Sequence, residues 1–103
     1  MNKVLKGAIK YLKMMNFDIL DENFDGIVVA RDRDDIVIIS VYSGEGYFPD
    51  DKMSMKEFEE VTAKYLQSLD DVYDVNIRYD IVSMNVLSSN RAFLRHAINV
   101  DIF

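Results

Sequence analysis

Lys3, Lys6, Lys10 and Lys13 recur every three or four residues near the start of the chain. Ammonium groups at that spacing share one face of a helix, where they can meet successive phosphates of a nucleic acid or simply form the solvated side. Asp32, Asp34 and Asp35 are an acidic cluster able to attract a divalent cation. The glycine and distal glutamate of a calcium loop are missing, so a solvated turn is expected. Asp70, Asp71 and Asp74 read as another polar turn. His96 is the one histidine and there is no cysteine. No serine is set beside His96 by a recognisable pattern, and a partly buried structural role is expected for it. Tyr42, Tyr47 and Phe48 bracket Gly44 and Gly46. Such rings can stack on a base or a partner, or pack under their own loop.

With 103 residues the chain has room for one domain, and half of it is apolar or aromatic, enough for a core. Without cysteine, disulfides and thiolate metal sites are excluded. No apolar run reaches the roughly 20 residues of a membrane span and no signal peptide opens the chain, so a cytoplasmic protein without membrane partners is expected. The net charge is −6, from 18 acidic and 12 basic residues. That balance disfavours strong non-specific binding to a polyanion while leaving room for a local basic patch.

The elements that must position these groups follow from periodicity. Residues 3–15 read as a helix, with Val4, Leu5, Ala8, Leu12 and Met15 on one face and the lysines opposite. Phe17–Leu20 is a short strand and Asp21–Asn23 a turn. Gly26–Arg31 and Ile36–Tyr42 pair as a hairpin through the loop Asp32–Asp35. Four successive apolar residues, Ile36 to Ile39, predict a central strand buried on both faces. Ser43–Pro49 reads as a loop. Ser54 and Glu57 form a capping box that starts a helix running to about Leu69, with Phe58, Val61, Tyr65, Leu66 and Leu69 inward. Val75–Met84 alternates as a strand. Residues 91–98 fit a helix or a strand equally. The order is α-β-β-β-α-β-β, a three-layer α-β-α domain with a mixed sheet.

That order, with several local strings, resembles the YraN-like family of the restriction-endonuclease-like superfamily. Ala8-Ile9-Lys10-Tyr11-Leu12 is similar to the family's A-x-x-Y-L, and Asp18-Ile19-Leu20 followed by Asn23 to its I-L-x-x-N. Val29-Ala30-Arg31-Asp32 resembles the end of its second strand. Arg78-Tyr79-Asp80-Ile81-Val82 resembles R-x-D-V-V, and His96 with Asn99 its closing H-I-x-N. The likeness spans nearly all of residues 1–103 and implies a single restriction-endonuclease-like domain. It also implies a chemistry, in which two or three carboxylates hold Mg²⁺ while a lysine attends the attacking water. Carried across by position, the helix glutamate falls on Leu5 and the hairpin aspartate near Ile27. The strand glutamate and lysine fall on Ser40 and Tyr42. Pro49-Asp50 and Asp50-Asp51-Lys52 spell pieces of the signature, but before a capped helix rather than on adjacent strands.

The expectation is therefore an inactive nuclease-like protein, without cofactor or metal, serving as a nucleic-acid-related binding or interaction module. Lys3, Lys6, Lys10, Lys13, Tyr42, Tyr47, Phe48 and Arg78 are its candidate contacts. One alternative is an active metal-dependent endonuclease whose site has moved to Asp25, Glu45 and Asp80. Another is a purely protein-binding or homodimerising module, for which an exposed sheet edge or apolar patch would speak.

Overall fold

Alternation along the strands sets the layering. In the computed structural model, which describes residues 3–70 and 75–101, five strands form one sheet in sequence order. They are β1 (Asp18–Phe24), β2 (Ile27–Asp32), β3 (Asp35–Glu45), β4 (Asn76–Ser88) and β5 (Arg91–Ala97). All neighbours are antiparallel except β3 and β4, which run parallel. Helix α1 (Lys3–Met14) precedes the sheet, and α2 (Met55–Gln67) connects β3 to β4.

Val28, Ala30, Val37, Ile39, Val82 and Met84 pack with Ala8, Ile9 and Leu12 of α1. Val29, Ile36, Ile38, Tyr79 and Ile81 pack with Val61 and Tyr65 of α2. Consecutive residues of β3 thus serve opposite cores, and Val37, Ile38 and Ile39 are wholly buried in the middle of the sheet. The expected α/β domain with a mixed sheet and a helix against each face is present.

Local chemistry fixes both helices. The Ser54 hydroxyl accepts the Glu57 amide at 3.1 Å, and the Glu57 carboxylate accepts the Ser54 amide at 3.4 Å, so the capping box is formed. Helix α1 ends on Asn16, whose φ of 68° is left-handed. The Asn16 amide donates to Lys13 O and the Phe17 amide to Leu12 O, a Schellman closure that turns Phe17 into the core.

Several boundaries differ from the sequence expectation, among them the end of β4, which runs past Met84 to Ser88. Strand β1 continues through Asp21–Asn23 to Phe24, because β2 supplies a pairing partner across two register shifts. The reversal lies at Asp25-Gly26, whose φ values of 54° and 85° suit a two-residue hairpin. Strand β3 likewise continues to Glu45, since β4 pairs with it as far as Val86. Gly44 serves there as a packing glycine: a Cβ would lie 2.7 Å from the Tyr47 ring. The β2–β3 reversal is only Arg33-Asp34, with Asp32 paired to Asp35. The ambiguous tail is a strand, because β4 offers it an open edge. Asp71 and Asp74 lie outside the described residues.

Candidate functional site

Alternation places Arg78 and Asp80 of β4 on the α1 side of the sheet, where Asp80 is entirely buried. An isolated buried carboxylate would be costly; this one receives four donors. Oδ1 accepts from Arg78 Nε at 2.9 Å and from the Asn99 amide at 2.9 Å. Oδ2 accepts from Arg78 Nη2 at 3.0 Å and from His96 Nε2 at 2.8 Å. Asn99 reaches it because its φ of 56° turns the chain back after β5. Arg78 Nη1 bonds Asp32 at 2.9 Å and Asp35 at 3.4 Å, across the β2–β3 turn. On the far side, His96 Nδ1 meets the Tyr11 hydroxyl of α1 at 2.8 Å. Phe17 closes the group, edge-on to His96 and 5.7 Å beneath the Arg78 guanidinium.

Burial pushes the Asp80 carboxyl up, but the bonds from His96, Arg78 and the Asn99 amide together outweigh it and hold it below the ordinary value. Burial likewise opposes the Arg78 charge, and Asp80 and Asp32 overcome it, leaving Arg78 raised. Tyr11 is pushed up by burial and by the Asp80 charge. Carboxylate, imidazole and phenol therefore stand in a line shaped like a relay, but the phenol is held in its protonated form, the reverse of an activated nucleophile. The line works as a cross-link that ties α1 and β5 to β4.

This group corrects two sequence readings. Arg78 does not offer a nucleic-acid contact, since its side chain is 12 % exposed and bonded to three carboxylates. Asp32 and Asp35 are anchors for Arg78 rather than a solvated acidic tip; Asp34 is exposed. The strand string Arg78-x-Asp80 was the available signal. Two charges on the same face of a strand whose neighbours are apolar imply an internal ion pair.

The four positions taken from the family resemblance divide between the two faces. Leu5 packs on the α1 core. Ile27 and Tyr42 pack on the α2 core and line a hollow of about 250 Å³ with Asp25, Glu57, Glu60 and Lys64. Ser40 is 2 % exposed and bonds the Tyr79 hydroxyl at 2.9 Å, which also accepts the Met53 amide at 2.9 Å. Burial raises Tyr42, partly offset by a bond from Ser40. The alternative metal set does not assemble. Asp25 pairs with Lys64 of α2 at 3.3 Å, Glu45 is exposed at the end of β3, and Asp80 is buried on the α1 side of the sheet and bonded to Arg78 and His96. Among the described residues, no three acidic or imidazole groups are arranged to hold a metal ion. Asp50 reaches Arg95 at 3.6 Å and Lys52 bonds Asp101 O at 3.3 Å, so both are loop contacts.

The surface candidates are better exposed. Lys3, Lys6, Lys10 and Lys13 all face solvent. Lys6, Lys10 and Lys13, with Ile9, Met14 and Glu22, line a shallow depression of about 610 Å³. Tyr47 is 59 % exposed against Gly44, whereas Phe48 lies under Arg95 at 4.7 Å. No described helix is long and apolar enough to cross a membrane. In comparisons with known proteins, no family model and no curated protein matches this chain.

Proposed function

We propose that the chain is a nuclease-like binding module of restriction-endonuclease-like type, without hydrolytic chemistry, that contacts nucleic-acid phosphates through the exposed face of α1. The observation that carries this reading is the composition of that face. Helix α1 has four exposed lysines and no acidic residue, within a protein of net charge −6. Clustered ammonium groups on one rigid face can displace counterions from a phosphate backbone even where the whole chain is acidic. Tyr47 adds an exposed ring, while Arg78 is withdrawn from the contact set by its ion pairs.

The absence of hydrolysis is supported by what fills the seats implied by the family resemblance. Leu5 and Ile27 are packed and Ser40 is hydrogen-bonded to Tyr79, so none brings a charge toward a common point. The test is incubation of highly purified protein with single-stranded, duplex and branched DNA in Mg²⁺ or Mn²⁺. No cleavage is expected. Cleavage that depends on metal and is lost in Asp25→Ala would overturn the reading in favour of an active site built around Asp25.

A further inference from the structure

The two edges of the sheet are built differently. Edge strand β1 carries Asp18, Asp21 and Glu22, and its ladder to β2 shifts register on both sides of Asp21. Charge and irregular register are what keep an edge from accepting another strand. Edge strand β5 carries no acidic residue, and its one register shift against β4 lies at its start, between Arg91 and Ala92. It reads Arg-Ala-Phe-Leu-Arg-His-Ala, with no proline, glycine or carboxylate, and pairs regularly with β4 from Ala92 to Ala97. Among the described residues it has a strand on one side only, so every second N–H and C=O along it points outward.

The side chains of that edge have a definite chemistry. Leu94 packs on the α1 core and His96 bonds Tyr11, so alternation sends Phe93 and Arg95 to the other face. Helix α2 does not cover them: Phe93 is 54 % exposed and the Arg95 side chain likewise 54 %. Arg95 is held in place over the Phe48 ring. Arg91, exposed at the start of the strand, completes a basic–apolar–basic row at every second residue.

We propose that β5 adds an extended segment of a partner protein as a further strand, one carrying acidic–x–apolar–x–acidic residues. Backbone bonds to the open edge would supply the pairing, as in other strand additions. Two carboxylates would meet Arg91 and Arg95, and the apolar residue between them would cover Phe93. A second copy paired through its own β5 fits worse, because that strand has no carboxylate to offer Arg91 or Arg95. Nucleic acid fits worse too, since a phosphate backbone offers acceptors alone to a row of alternating donors and acceptors.

The test is selection from a randomised short-peptide library on the whole protein, with the double variant Arg91→Glu, Arg95→Glu as counter-target. Selected peptides are expected to carry Asp or Glu on both sides of an apolar residue at the stated spacing. They should bind the double variant at least about tenfold more weakly. A selected peptide should also slow amide exchange along β5 and nowhere else in the sheet. If charge reversal unfolds the chain, Arg91→Ala with Arg95→Ala takes its place, with the same expectation. The inference fails if no peptide is selected, if selected peptides lack acidic residues, or if they bind wild type and variant alike. It also fails if β5 amides are protected by self-association before peptide is added, or by single-stranded DNA instead.

Discussion

Replacing Asp80 with alanine is expected to lower stability by about 3–5 kcal/mol, the usual result of removing one partner of a buried ion pair. For a domain of this size that is a fall in Tm of more than about 12 °C. The reason is the set of donors left behind. Arg78 Nε and Nη2, His96 Nε2 and the Asn99 amide all lose their acceptor at a point without solvent. Arg78 keeps only its bonds from Nη1 to Asp32 and Asp35. A pH dependence goes with this. Because the folded carboxyl lies below its unfolded value, Asp80 contributes stability that is present above about pH 4 and lost as pH falls toward the lower folded value. Stability curves of wild type and Asp80→Ala should therefore be far apart near neutral pH and converge in acid. Parallel curves down to the lowest pH, or a wild-type Tm in the variant, would mean the network contributes little.

Ser40→Glu combined with Tyr42→Lys is expected to destabilise by about 1–3 kcal/mol, since a charge enters a buried strand and a hydrogen-bonded hydroxyl is lost. Ser40 sits beneath the Tyr79 hydroxyl, whose other partner is the Met53 amide, so a bulkier carboxylate must push apart a link between the loop and the sheet. Tyr42 packs on the α2 core beside Ile27, and a lysine there would draw its ammonium into the hollow lined by Asp25, Glu57 and Glu60. No metal-dependent activity is expected, because Leu5 is on the opposite face from these positions. Thermal melts with and without Mg²⁺ decide the matter. A variant as stable as wild type that gains stability from Mg²⁺ would show a carboxylate set able to close around an ion.

What could be read from sequence was what depends on neighbours along the chain. The Ser54–Glu57 capping box and the doubly buried Ile36–Ile39 run were both legible, because each is defined within a few residues. Strand ends were not. Asp21–Asn23 and Ser43–Glu45 carry turn-like residues, yet each is held in a strand by a partner elsewhere in the chain. The tail 91–97 had two consistent periodicities, and only the free edge of β4 chose between them. The Asp80 network was the least legible. Tyr11 and His96 are 85 positions apart, and nothing local to either announces the other. Reading Arg78 as a surface contact followed from taking it alone, when Asp80 two residues on shares its face.

Binding of duplex DNA as a function of salt tests the central reading most directly. A labelled duplex titrated with wild type and with the triple variant Lys6→Glu, Lys10→Glu, Lys13→Glu gives both the site and the mechanism. Each phosphate contact contributes a slope of about −0.9 in log K against log salt, so the four lysines of α1 cap the slope near about −4. Weak binding at low salt is expected, with a slope no steeper than that and loss of binding in the triple variant at an unchanged Tm. Binding that persists at high salt, or that survives in the triple variant, would contradict that reading, as would no binding by wild type at about 50 mM salt.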